Sequence, residues 1–135
     1  MAVMHTQGET PLREERDIVL ARQIVRRLAL ENGFSLVDQT KIVTAASELA
    51  RNAVIYGGGG TLKWEVLHDG IKRGVRLTFA DHGPGIADIE LALTDGWTSG
   101  TGMGLGLSGA RRLVNEFEIT STVGIGTKVV IARWK

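Results

Sequence analysis

The stretch that most constrains this chain is Asp81-His82-Gly83-Pro84-Gly85-Ile86, followed after a short interval by Gly100-Thr101-Gly102-Met103-Gly104-Leu105-Gly106-Leu107. An acidic residue stands on a tight glycine turn, and alternating glycines then open an apolar-periodic segment. Glycine lets the backbone turn sharply and approach a ligand closely, and the free amides at a helix start converge on an anion. A fold that uses both halves must deliver Asp81 from a strand to a turn and set the second glycine run at the mouth of a helix. That combination suits a nucleotide.

Length and charge narrow the setting. A chain of 135 residues is most simply one domain, since a domain of this size removes about two-thirds of its unfolded surface from water. The organisation expected is a flexible lead over residues 1–9 and a single domain over 10–135. Sixteen Lys plus Arg against fifteen Asp plus Glu leave a net charge of +1, so no strong field draws the molecule to nucleic acid or to a membrane. There are no cysteines, which excludes disulfides and thiolate metal sites and suits a reducing compartment. The N-terminus has no charged segment leading into an apolar run, and no apolar stretch approaches the roughly 20 residues of a membrane span. The expectation is a cytoplasmic protein with neither nucleic acid nor membrane among its partners.

Thr10-Pro11-Leu12-Arg13 reads as a short edge strand, where proline is tolerated. Beyond it, Ile18, Ala21, Val25, Leu28 and Ala29 share one helical face, with Asp17 read as the cap and Gly33 as the stop. Arg22, Arg26 and Arg27 fall elsewhere and read as a solvated face. A second helix is predicted from Val37 or Asp38 to Tyr56, burying Ile42, Ala46, Leu49 and Ala53. Glu48 and Asn52, four apart, lie one turn above each other on it. By themselves they read first as an ordinary polar helix edge and only second as a working pair.

Gly57-Gly58-Gly59-Gly60 reads as a flexible turn into two alternating strands over 61–68 and 74–81, joined at Asp69-Gly70. The second strand ends on Asp81. A polar loop over 94–101 exposes Trp97, which is either a docking anchor or part of a folded-under lid. A third helix is predicted over 105–117 with Leu107, Ala110, Leu113, Val114 and Phe117 on its apolar face, and strands over 117–123 and 127–134 form a hairpin about Gly124-Ile125-Gly126. Helices and strands mix without regular β-α-β alternation. The predicted class is therefore α+β, a two-layer sandwich with helices on one face of a mixed, mainly antiparallel sheet.

Gly104-Leu105-Gly106-Leu107-Ser108-Gly109 formally matches the dinucleotide pattern G-x-G-x-x-G. A loop precedes it instead of a first strand, and too little chain follows for a doubly wound sheet. No phosphate-binding loop ending in Gly-Lys-Ser/Thr is present, nor the H-R-D and D-F-G signatures of ordinary protein kinases.

The ordered set fits better: Glu48 to Asn52 on a helix, Asp81-x-Gly83-x-Gly85 after a strand, Gly102-x-Gly104-x-Gly106 opening a helix, and Gly124-x-Gly126-Thr127 in a late hairpin. This set resembles the boxes of the GHKL superfamily of gyrase, heat-shock chaperone, histidine kinase and mismatch-repair ATPases, also called the Bergerat fold. The runs Asp17-Ile18-Val19, Ser47-Glu48-Leu49-Ala50-Arg51-Asn52, Asp81-x-Gly83-Pro84-Gly85-Ile86 and Asp95-Gly96-Trp97-Thr98-Ser99-Gly100 look like those of RsbT-type serine/threonine kinases, the switch kinases of the stressosome. Ser47 stands where histidine kinases often carry a histidine, which favours the serine/threonine class.

The resemblance implies a catalytic role for Glu48 as the general base and MgATP as the cofactor. Asn52 would meet the Mg²⁺ through its amide oxygen, a hard ligand for a hard ion. Asp81 would accept the adenine amino group, with Gly83, Gly85, Ile86 and Thr127 around the base. Gly102, Met103, Gly104, Leu105 and Gly106 would hold the phosphates. The implied substrate is Ser/Thr of a STAS-domain antagonist or scaffold, with a PP2C-type phosphatase as a further partner. The alternative is an ATP-binding module that sequesters a sigma factor. His82, Arg111 and Arg112 read as solvated residues without a part in the chemistry.

Overall fold

Period-two alternation sets β2 (Gly60–Asp69) and β3 (Lys72–Asp81) side by side in the computed structural model, which describes residues 7–94 and 106–135. They pair antiparallel from Gly60 opposite Asp81 to Asp69 opposite Lys72. The two-residue turn opens with Gly70 at φ 64°, the positive-φ position that such hairpins require. The edge strand β1 (Gln7–Leu12) pairs with β2 and begins inside the segment expected to be a flexible lead. Beyond β3 lie β5 (Gly126–Trp134) and then β4 (Glu116–Thr122) at the far edge. The order is β1-β2-β3-β5-β4, and every pairing among the described residues is antiparallel.

Two long helices supply the second layer. Helix α1 (Glu15–Glu31) buries Ile18, Ala21, Val25, Leu28 and Ala29, the stripe read from its periodicity. Its start differs from expectation. Asp17 lies inside the helix, where its Oδ2 accepts the backbone N–H of Glu14 at 3.1 Å and of Arg13 at 2.8 Å; Glu14 is the N-cap and completes a capping box. Gly33, at φ 79°, ends the helix: its N–H donates to Leu30 O and that of Phe34 to Ala29 O, closing the last carbonyls.

Helix α2 (Leu36–Ile55) starts earlier than predicted because the Ser35 hydroxyl accepts the Asp38 N–H at 3.1 Å. Ile42, Ala46, Leu49 and Ala53 are buried as expected. They pack with Leu62, Val75, Leu77, Phe79, Val129 and Ile131 from the covered face of the sheet. Each large apolar side chain buried there contributes about 1.5–3 kcal/mol.

The short helices are α3 (Ile89–Ala92) and α4 (Gly106–Arg112). Helix α4 stops five residues before the predicted end at Phe117. Past Arg112 the chain is captured by β5. Asn115 N–H donates to Ala132 O at 2.9 Å, while Asn115 Oδ1 takes the Trp134 N–H at 2.7 Å. Phe117 thus enters β4, and Leu113, Val114 and Phe117 pack on the core as turn and strand residues. Arg133 reinforces the junction by donating to Asp38 Oδ1 at 2.6 Å and to Leu113 O at 3.0 Å. Its guanidinium holds the Asp38 carboxyl below the ordinary aspartate value. Among the described residues no helix is long and apolar enough to cross a membrane.

Candidate active site

The last residue of β3 is the pivot of the site. Asp81 Oδ1 accepts two backbone amides, Gly83 N–H at 2.9 Å and Thr127 N–H at 3.2 Å. Both bonds use one carboxylate oxygen, so Oδ2 keeps its acceptor capacity for a ligand. Two close approaches explain the glycines around it. A Cβ on Gly57 would lie 2.4 Å from Asp81 Cγ, and a Cβ on Gly83 would lie 2.6 Å from Gly57 Cα. Gly57, the first residue of a tetraglycine expected to be a flexible turn, is therefore the surface against which the Asp81 carboxylate rests. The four successive glycines were the available signal, and reading them only as slack missed it.

Asp81 opens on a cavity of about 470 Å³ between α2, the sheet and the segment after β3, a size suited to a small-molecule ligand. Leu49 and Ala53 of α2, Phe79 of β3, Val129 of β5, Ile86 and Leu91 make its apolar wall, and Asp81, Thr127, Asn52 and Tyr56 bring polar groups to it. Apolar walls with a few placed polar groups hold a flat heterocycle and choose its edge.

Helix α2 carries the other two polar residues. Asn52 lines the cavity, and its Oδ1 is buried with no hydrogen-bond partner among the described residues. One turn earlier, Glu48 Oε2 is in the same condition. An unpaired buried acceptor costs about 1–3 kcal/mol, so two on one helix face call for a ligand or an ion. Glu48 does not line the cavity. It opens instead on a groove bordered by Arg22, Arg26, Thr40, Thr44 and Ser47.

Of the residues singled out in the sequence, Asn52, Asp81, Gly85, Ile86 and Thr127 converge on the cavity, and Gly83 supports Asp81 from behind. Gly106 begins α4 at φ 65°, next to Leu107, which reaches the cavity. Gly102, Met103, Gly104 and Leu105, like the loop holding Trp97, lie outside the described residues. His82 is exposed and off the cavity. Ser121 is a further missed residue: its Oγ accepts the Ile86 N–H at 2.7 Å and lies 2.8 Å from Thr127 Oγ1. No local pattern marks a serine whose amide partner stands 35 positions away.

Residues 37–135 match the family described as histidine kinase-, DNA gyrase B-, and HSP90-like ATPase. Over 131 residues, 97% of this chain and 98% of the relative, the sequence is 43% identical to the serine/threonine-protein kinase RsbT of Bacillus subtilis. It is 30% identical to the anti-sigma F factor of Anoxybacillus flavithermus, over 84% of this chain and 81% of that protein. Among solved structures, the RsbU and RsbW domains of a Mycobacterium tuberculosis protein superpose with a TM-score of 0.65 at 22% identity, over 94% of this chain and 32% of that one. A mycobacterial sensor histidine kinase, MprB, gives a TM-score of 0.55 at 16% identity, over 94% and 96%; at these identities the two structures speak to the fold. The four boxes, the antiparallel sheet and the cavity between helix and sheet have one common explanation: the chain belongs to the histidine kinase-, DNA gyrase B- and HSP90-like ATPase family.

Proposed function

We propose that this chain is an ATP-dependent protein serine/threonine kinase of a partner-switching pathway, which transfers the γ-phosphoryl group of MgATP to Ser/Thr of a STAS-domain antagonist or scaffold in the cytoplasm. The observation that carries the reading is the full-length similarity to a serine/threonine-protein kinase, joined to a cavity that has Asp81 and Asn52 among its polar groups. A PP2C-type phosphatase is the further partner we propose for the released kinase.

The residues fit these roles. Asp81 Oδ2, left open by the two amides on Oδ1, accepts the amino group of adenine, while Phe79, Val129 and Ala53 enclose the ring. Asn52 Oδ1, buried and unpartnered among the described residues, is the oxygen donor that Mg²⁺ favours. When bound, the ion would neutralise charge on the phosphates. Glu48 holds the incoming hydroxyl in line and takes its proton as transfer proceeds. An ordinary carboxylate is a weak base, so positioning contributes more than proton removal. The groove beside Glu48 leaves room for a side chain to arrive from outside the nucleotide cavity.

The test is incubation of the purified chain with labelled ATP, Mg²⁺ and the STAS-domain protein encoded nearest to it. Label on serine or threonine of that protein is the expected result; absence of transfer with intact ATP binding would overturn the kinase reading. In that event the similarity to anti-sigma F factor favours a second reading, an ATP-binding module that sequesters a sigma factor, and co-purification with a sigma factor would decide for it.

A further inference from the structure

The groove beside Glu48 lies between two helices that bring different chemistry to it. Helix α1 contributes Arg22 and Arg26, four positions apart and so one turn above each other on the same side of the helix. Helix α2 contributes Thr40, Thr44, Ser47 and Glu48, and the space enclosed is about 280 Å³. The two arginines, read from the sequence as a solvated face, thus share a groove with the carboxylate assigned as the base.

The polar groups of this groove are largely unengaged. Arg16, on the same helix, pairs with Glu14 at 2.9 Å, whereas neither exposed guanidinium of Arg22 or Arg26 makes an ion pair or hydrogen bond among the described residues. Thr40 Oγ1 turns back to donate to Leu36 O at 2.8 Å. The Thr44 and Ser47 hydroxyls are unbonded among the described residues, and Glu48 Oε2 is buried without a partner. Glu48 therefore lacks a donor, and the arginines lack acceptors. A hydroxyl with a carboxylate close beside it meets both needs: the hydroxyl donates to Glu48, and the carboxylate takes the fork of a guanidinium.

Charge points the same way. Two cations and one carboxylate border the groove, so an acidic segment is drawn to it and a basic one is turned away. The groove shares no lining residue with the nucleotide cavity, which leaves the arginines to the incoming protein.

We propose that the α1–α2 groove docks the substrate protein, and that Arg22 and Arg26 read Asp or Glu side chains flanking the Ser or Thr that Glu48 receives. The substrate class is then a hydroxyl residue set in an acidic segment. The proposal rests on the kinase reading above, which gives Glu48 its hydroxyl.

The experiment uses the full chain and the STAS-domain protein encoded nearest to it. It measures kcat and KM for that protein, with ATP affinity by calorimetry, in wild type, Arg22→Gln, Arg26→Gln, the double variant and Arg26→Glu. One charge-assisted hydrogen bond corresponds to about tenfold in affinity. Each single Gln variant should raise the protein KM about tenfold and the double variant by a factor on the order of 50–100, with kcat within about threefold and the ATP dissociation constant within about twofold of wild type. Raising salt from about 50 to 500 mM should raise the wild-type KM severalfold and leave that of the double variant nearly unchanged. Arg26→Glu should be partly rescued when the acidic residue of the substrate nearest the phosphorylated hydroxyl is replaced by Lys.

A protein KM in the double variant within about twofold of wild type overturns the proposal. So does an equal loss of ATP affinity, which would place the arginines on the nucleotide, or a phosphorylated hydroxyl with no Asp or Glu within about one Debye length, ~8 Å. Both arginines are exposed, and a melt of each variant separates lost docking from lost folding; Arg26→Lys, which keeps the charge, carries the comparison where a Gln variant does not fold. Wild-type chain that binds ATP and transfers nothing overturns the kinase reading along with this one, whereas wild-type transfer with an unaffected double variant overturns this one alone.

Discussion

Thr127 and Asp81 are 46 positions apart in sequence, and the backbone N–H of Thr127 donates to Asp81 Oδ1 at 3.2 Å. With the Gly83 amide on the same oxygen, the carboxylate at the end of β3 is aimed by two backbone groups from different segments. Orientation by backbone costs little side-chain entropy and leaves the second oxygen for recognition.

Asp81→Asn retains an oxygen for the two amides and places an NH₂ donor where an acceptor stood. Two donors then face each other across the base edge. ATP affinity should fall by about 100-fold with the unfolding temperature of the free protein little changed, as read by calorimetric titration and a melt without nucleotide. ATP affinity equal to wild type would remove Asp81 from the base site.

Gly57→Ala tests the tetraglycine. The added methyl would sit 2.4 Å from Asp81 Cγ, so the carboxylate must swing off its two amides. We expect at least about tenfold weaker ATP binding, from the loss of that preset orientation. Gly58→Ala is the companion measurement, since its Cβ meets nothing within 4 Å; its backbone lies at φ 71°, so it should lose about 1 kcal/mol of stability through strain while keeping its ATP affinity.

On α2, Asn52→Ala removes the oxygen assigned to Mg²⁺. Phosphoryl transfer should drop by a factor on the order of 10² or more, and ATP binding should lose most of its dependence on Mg²⁺. Chelation of the metal in wild type should reproduce the loss, and an Asn52→Ala variant still stimulated normally by Mg²⁺ would exclude the assignment.

Glu48 lies outside the cavity lining, so Glu48→Gln should leave the ATP dissociation constant within about twofold of wild type while kcat falls by roughly 10²–10⁴. Single-turnover transfer to the substrate protein separates the two quantities. A rise in the ATP dissociation constant equal to the fall in transfer would place Glu48 in binding instead.

Acid should release the clamp at Asp38. Its carboxyl titrates below the ordinary value chiefly because the Arg133 guanidinium donates to it, so the pair's stabilisation is complete above the unfolded pKa of about 3.9 and is lost as pH falls toward the lowered native value. The pair is largely buried, at 13% and 25% side-chain exposure. Arg133→Leu should cost about 2–4 kcal/mol at neutral pH and flatten the acid limb of the stability curve below pH 4, measured by urea unfolding across pH.

The stripe of α1 was legible because helix burial is periodic in sequence: Ile18, Ala21, Val25, Leu28 and Ala29 are the residues the helix buries. The strand that ends on Asp81 was legible for the same reason, at period two. Helix α4 was misjudged because Leu113, Val114 and Phe117 continue a helical spacing by coincidence, and only the capture of Asn115 by Ala132 and Trp134 ends it. Asp17 was read as a cap on residue type. The choice between N-cap and third position depends on which upstream amides are free to reach it.

The sequence by itself determined the class of fold, the strand that carries Asp81, and the helix that sets Glu48 and Asn52 one turn apart, because each is a short-range periodicity or spacing. Tertiary structure alone decided that Gly57 packs against Asp81, that Thr127 aims its carboxylate, that Ser121 stands behind Thr127, and that Glu48 opens on a groove apart from the nucleotide cavity. Those relations join segments tens of residues apart, and a hydrogen bond or close contact between them exists only once the sheet has paired and brought its strand ends together.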